Sequence, residues 1–362
     1  MRRLARPPGP AAVLLRSTPA LRDDRLRELE EWLVRDCGMT LDDLRPASAD
    51  ASFRRYFRVL SGGHSYVAMD APPGREDSEP FLRIAGWLAA IGLTAPRVLE
   101  ADLEAGFLLL TDLGDELYLH RLQAEPGAAD RLYGGAIRAL VRLQRGGARH
   151  AAELPPYDRA FLHTEMALFR DWLCQRHLAL DWSAADAAAW DDVTERLAAN
   201  AVAQPAVFVH RDYHSRNLMV TAEPPGILDF QDAMHGPVTY DLVSLLKDCY
   251  ITWPRQRVLG WVDVYRQEAH AAGLRPGDEA GGPGGGDEGF LRAFDLMGVQ
   301  RHLKAAGIFA RLWHRDGKPG YLADVPRTLA YVTALRADYP ELDWLCALIT
   351  ERVLPALPER AP

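Results

Sequence analysis

Residues 207–230 read VFVHRDYHSRNLMVTAEPPGILDF. The apolar run Val207-Phe208-Val209 leads into His210-Arg211-Asp212, and Asn217 lies five positions after Asp212. Leu218–Val220 is strand-prone, and the stretch Thr221–Gly226 carries two prolines and a glycine, which punctuate turns. Ile227-Leu228 then delivers Asp229-Phe230. A hairpin between Asn217 and Asp229 brings these two residues side by side.

Asp and Asn often do no more than shape turns. Here an apolar strand, His-Arg-Asp, an Asn at fixed offset, a hairpin and an Asp-Phe after an apolar pair all agree. Together they form the catalytic-loop pattern of phosphoryl transfer. That chemistry needs an oriented hydroxyl and charge neutralisation more than covalent help. Asp212 can accept the hydroxyl proton. Asn217 and Asp229 offer hard oxygens suited to magnesium.

The rest of the chain accommodates such a site. It has 362 residues, 48% of them apolar, enough for two lobes with their own cores. Its net charge of −8 speaks against general nucleic-acid affinity. The four cysteines, Cys37, Cys174, Cys249 and Cys346, form no CxxC pair, so reduced core thiols and a cytoplasmic setting are expected. No apolar run reaches the length of a membrane span. Residues 1–20 hold three prolines and read as a disordered extension.

Residues 21–114 are expected to form a small α+β lobe that binds nucleotide. Helical spacing runs from Leu21 to Cys37. Residues 47–59 and 65–70 flank Ser61-Gly62-Gly63 and predict a hairpin. Ser78 is placed to cap a helix carrying Phe81, Ile84, Ala85 and Leu88. Strands are expected around Arg97–Ala101 and Gly106–Thr111. Residues 115–362 read as a mainly helical lobe with the catalytic loop and the acceptor site. Within it, 273–289 includes GGPGGGDEG and is expected to be a flexible loop.

The arrangement resembles the aminoglycoside phosphotransferase and choline kinase branch of the protein-kinase-like fold, over Leu21 to Trp344. That branch usually reads H-G-D-x-H-x-x-N. This chain matches at His210, Asp212, His214 and Asn217, with Arg211 in place of Gly. Gly236-Pro237 and Tyr240-Asp241-Leu242 also fit, and the resemblance implies that Asp241 and His210 support the catalytic loop. DASFRRYFRV, MDAPPGRED, GFLLLTDLGD, GPVTYDLVSLLKDCY and QRHLKAAGIFARL look like the anomeric kinases of N-acetylmuramate and N-acetylglucosamine. The resemblance thus implies a two-lobed ATP-dependent kinase that makes sugar 1-phosphates in peptidoglycan recycling. ATP and an amino sugar would be its partners, with no nucleic acid, membrane or protein partner implied.

On this reading Leu110, Asp112 and Leu113 belong to the interlobe hinge that pairs with adenine. The glycine-rich phosphate loop is missing; Ser48 and Ser52 bound a small polar substitute, and Asp70 stands where a phosphate-binding lysine is usual. Arg54, Arg55 and Arg58 are candidate replacements, with Arg54 and Arg58 on one strand face and Arg55 on the other. On the sugar side, His214, Gln231, Asp232, Arg301, His302 and Lys304 are candidate contacts, with Arg301, His302 or Lys304 the candidates for the lactyl carboxylate of N-acetylmuramate, and Trp253 can stack on a ring or pack in the core. The basic residues from 301 to 304 can equally be a solvated helix face. Two other functions stay open: an aminoglycoside or other small-molecule hydroxyl kinase, and an inactive nucleotide- or sugar-binding pseudokinase.

Overall fold

The computed structural model describes residues 23–49, 53–222, 224–275 and 286–357. The expected extension at 1–20, Ser52, and most of the glycine-rich stretch within 273–289 lie outside the described residues.

The first part is a five-stranded antiparallel sheet, preceded by helix α1 (Asp24–Arg35). Its strands are β1 (Asp43–Ala49), β2 (Arg55–Ser61), β3 (His64–Asp70), β4 (Val98–Asp102) and β5 (Phe107–Thr111), in the order β1-β2-β3-β5-β4. Helix α2 (Glu79–Ala90) joins β3 to β4. The β2–β3 turn is tight, with Ser61 opposite His64 and left-handed φ values at Gly62 (+56°) and Gly63 (+79°).

Two expectations change here. The run 47–59 is split between two strands, because β1 starts earlier and the chain reverses before Arg55. Ser78 makes no side-chain cap bond; Asp77 instead accepts the Glu79 N–H at 2.9 Å.

One face of the sheet packs on α1 through Leu29, Leu33, Val59, Ala68 and Leu109. The other face joins the main core through Met69, Leu108 and Leu110, with Phe81 and Leu88 from α2. The alternation of Ala68 and Met69 between the two cores is the period-two pattern of a strand buried on both faces.

Helices dominate the remainder: α3 (Tyr118–Ala124), α4 (Ala129–Gly147), α5 (Arg159–Leu168), α6 (Ala184–Val202), α7 (Tyr240–Leu246), α8 (Arg255–Ala271), α9 (Asp287–Asp316) and α10 (Val325–Thr333). Two short ladders are set among them. β6 (Ala206–Val209) pairs with β9 (Met234–Pro237), and β7 (Leu218–Met219) pairs with β8 (Gly226–Ile227).

Helix α9 is 30 residues long and buried around most of its circumference. Its Gly307 lies directly against the backbone at the end of α5: a Cβ there would fall on the Leu168 carbonyl and the Phe169 nitrogen. No helix of the described residues is long and apolar enough to cross a membrane.

Candidate active site

The apolar strand β6 ends at Val209, and the loop after it is fixed from several sides. Asp241, in the first turn of buried α7, accepts the backbone N–H groups of His210 at 2.6 Å and Arg211 at 2.9 Å. The His210 ring is buried and meets the Leu228 carbonyl at 3.0 Å. Burial lowers its pKa to about 4, so the ring is neutral and donates to that carbonyl. Ser215 donates from its N–H to Asp248 at 3.0 Å and from its hydroxyl at 2.5 Å.

The hairpin forms as expected, with Leu218 opposite Ile227. It brings Asn217 to Asp229: the amide nitrogen of Asn217 is 3.3 Å from the Asp229 carboxylate and 3.0 Å from the Asp212 carbonyl. Gln231 donates to the other Asp229 oxygen at 2.7 Å, so it holds the carboxylate rather than pointing elsewhere.

Two loop residues have left-handed backbone, Arg211 at φ +79° and Asp229 at φ +60°. Such conformations cost energy in non-glycine residues and gather at functional sites. At Arg211 the side chain offsets the strain. It pairs with Glu165 of α5 at 2.9 Å and lies over the Phe161 ring at 5.3 Å.

Glu165 anchors a buried network. It also pairs with Lys304 of α9 at 3.2 Å, accepts from Gln300 at 3.2 Å, and takes the Tyr157 hydroxyl. Lys304 donates in turn to the Tyr240 hydroxyl at 2.9 Å.

No hydrogen bond to the Asp212 carboxylate is present among the described residues. Burial alone would raise its pKa, but Lys304, His214, Arg301 and Arg211 outweigh burial and hold it below the ordinary carboxylate range. It is therefore an ionised, unclaimed acceptor at neutral pH.

The remaining sequence candidates fall out as follows. Arg301 and Lys304 are only 5% and 6% exposed, so they form no solvated face. His302 meets the Lys247 carbonyl at 2.8 Å and stacks on Tyr331. Asp232 is exposed. Trp253 is packed in an aromatic cluster, with its indole N–H on the Tyr133 hydroxyl at 2.9 Å and its ring against Trp261.

On the sheet side, Asp70 is fully buried, so it does not stand in for a lysine facing phosphate. Arg25 of α1 and Arg55 of β2 each approach it through Nε at 2.9 Å. Arg55 also meets Asp23. Arg54 pairs with Glu76 at 3.0 Å and Arg58 with Asp112 at 2.8 Å. Asp112 is thereby tied down within the expected hinge and accepts the Gly114 N–H at 2.9 Å. Leu110 is buried, and Leu113 closes over Gly226. Ser48 pairs with Tyr56 between β1 and β2.

The sequence reading missed Glu165 and Asp248. An acid in an amphipathic helix carries no local sign of what it meets across the fold, although Asp248 does follow closely on Asp241.

A two-part fold with this loop, hairpin and supporting aspartate defines a phosphotransferase, and residues 43–280 match the model of the phosphotransferase enzyme family, APH; the chain belongs to that family. A Pseudomonas aeruginosa relative named N-acetylmuramate/N-acetylglucosamine kinase is 50% identical over 307 residues, covering 85% of this chain and 88% of the relative. A Pseudomonas putida relative of the same name is 48% identical over 339 residues, covering 91% and 97%. Among solved structures, the GDP complex of aminoglycoside 2'-phosphotransferase-IIIa superposes with a TM-score of 0.59 at 13% identity, covering 85% of this chain and 99% of that one. At that identity the likeness concerns the fold alone.

Proposed function

We propose that this chain transfers the γ-phosphoryl group of ATP to the anomeric hydroxyl of N-acetylmuramate or N-acetylglucosamine, as a cytoplasmic enzyme of cell-wall recycling. The carrying observation is the ionised, unclaimed Asp212 carboxylate set beside buried cations, on a chain about half identical to kinases named for those two sugars. A cationic antibiotic acceptor would call for an acidic pocket, and Arg301 and Lys304 argue against one. The four cysteines are free thiols, in keeping with a reducing compartment.

ATP would lie between the sheet and the helices, its adenine against the hinge at Leu110, Asp112 and Leu113. Ser48 and Ser52 would serve its phosphates, and Arg54, the candidate cation next in sequence, is paired with Glu76. Arg55 is engaged with Asp70 and supports that lobe instead. The acceptor sits on the helical side, with His214, Arg301 and Lys304 around it.

Asn217 and Asp229 fit a magnesium ion: both carry hard oxygens, and the hairpin makes them converge. Magnesium characteristically takes few protein ligands and completes its shell with phosphate and water oxygens. Bound there, it would neutralise charge on the phosphates. Asp212 takes the proton as the sugar oxygen bonds to the γ-phosphorus and the bond to ADP breaks, leaving sugar 1-phosphate and ADP. The anomeric hydroxyl suits a weak carboxylate base, because the ring oxygen makes it the most acidic of the ring hydroxyls.

The test compares each reducing sugar with its 1-O-methyl glycoside, which keeps every other hydroxyl. Phosphorus NMR is expected to show phosphate coupled to the anomeric proton, with the glycosides inert. Equal turnover of a glycoside, or phosphate at C6, rejects the anomeric assignment.

A further inference from the structure

Arg216 lies between Ser215 and Asn217, yet the chemistry above gives it no task. Its guanidinium sits 4.6 Å from the Tyr250 ring centroid and 5.4 Å from that of Tyr321. Among the described residues it makes no ion pair. Asp324 is close enough to sense it, but that carboxylate pairs with Arg327 at 2.8 Å. Arg216 is therefore a half-buried cation packed against two tyrosines, whose hydroxyls it also meets, with no carboxylate paired to it.

A second guanidinium, that of Arg301, also acts on His214. Arg301 is buried, its Nε has no partner, and its hydrogen bond to the Cys249 sulfur is long at 3.8 Å. His214 keeps its Nδ1 without a partner and sets its ring against Tyr250 at 5.5 Å between centroids. Both arginines act electrostatically on His214, and Arg216 and His214 share contact with Tyr250. Buried cations and ring nitrogens without partners are costly unless a ligand completes them. All of these groups come from the catalytic loop and the helical part of the chain.

We infer that Arg216 is a specificity residue that receives the carboxylate of an acidic acceptor sugar, the group by which N-acetylmuramate differs from N-acetylglucosamine. This rests on the functional reading above. Lys304 is committed to Glu165 and Tyr240, and His302 to the Lys247 carbonyl. Arg301 lies deeper, and its field falls on Asp212. Among these cations Arg216 joins partial exposure to a guanidinium whose partners are neutral tyrosines rather than a carboxylate, and that planar fork matches a carboxylate in two-point contact. Tyr250 and Tyr321 pack against the guanidinium and limit the side-chain entropy lost on binding.

The experiment measures kcat and KM for both sugars with the unaltered chain, Arg216→Gln and Arg216→Lys. For Arg216→Gln, the ratio of kcat/KM for N-acetylmuramate over N-acetylglucosamine is expected to fall by about 30-fold, the worth of a charge-assisted hydrogen bond. The loss should appear mainly in KM for the acidic sugar. Arg216→Lys keeps the charge but loses the fork, and should recover part of the ratio. An unchanged ratio in Arg216→Gln, or an equal loss of kcat for both sugars, overturns the assignment while leaving the enzyme's function standing. If Arg216→Gln does not fold, an unchanged ratio in Arg216→Lys overturns it. Failure of the unaltered chain to phosphorylate either sugar rejects the functional reading, and this assignment with it.

Discussion

The Asp241 carboxylate binds the backbone N–H of His210 with one oxygen, at 2.6 Å, and that of Arg211 with the other, at 2.9 Å. Both peptide groups just before Asp212 are thus oriented by a single side chain. Burial, together with the nearby Asp212 charge, raises the Asp241 pKa to about 7 despite those two donors. Below that pH a proton occupies one of its oxygens and weakens one support. Turnover should therefore rise as pH increases through about 7. Asp241→Asn keeps one acceptor and loses the other, so kcat should fall by about 10- to 100-fold. The rise near pH 7 should vanish from the variant's pH–rate profile; its persistence there would remove Asp241 as the titrating support.

Asp212→Asn should reduce kcat by about 10²- to 10⁴-fold, the usual worth of a positioned base, and leave ATP affinity close to that of the parent. In the parent, Asp212 stays ionised to below the ordinary carboxylate range, so its protonation should add no inflection between pH 5 and 8. Near-parental turnover by a folded Asp212→Asn protein would refute its assignment as base.

Asn217→Ala and Asp229→Ala should each raise the magnesium concentration needed for half-maximal activity. Asp229→Ala should be the more severe because it removes a full negative charge. A magnesium titration of Asp229→Ala that overlays the parent's would contradict the ligand assignment.

Glu165→Gln leaves Arg211 and Lys304 buried without their common anion. Breaking a buried ion pair from one side costs about 3–5 kcal/mol. Chemical denaturation should show a loss of that order, and Glu165→Gln combined with Lys304→Met should recover part of it. A loss under about 1 kcal/mol, as for a surface pair, would show that the network contributes little.

The catalytic loop was legible because its information is local: an apolar strand, fixed offsets and turn residues lie within one stretch. β1 was only partly legible. Its sequence, DLRPASA, contains a proline and no apolar alternation, and it depends on pairing with β2. β9, which reads MHGP, is set by β6 in the same way. The charges on α9 misled for a different reason. Spacing places Arg301 and Lys304 on one helix face, but a helix buried on most sides gives the sequence no solvent side by which to read its charges. The Asp70 cluster needed a partner, Arg25, 45 positions away, beyond any local pattern.

Gly307 stands one helical turn beyond Lys304, as Leu168 stands one turn beyond Glu165. The backbone contact between Gly307 and Leu168 therefore acts as a spacer gauge for the ion pair beside it. Even one methyl group at 307 would wedge the two helices apart and stretch the Lys304–Glu165 link that steadies Arg211. The alignment of Asp212 would thus be calibrated by a glycine, a residue with no reactive group.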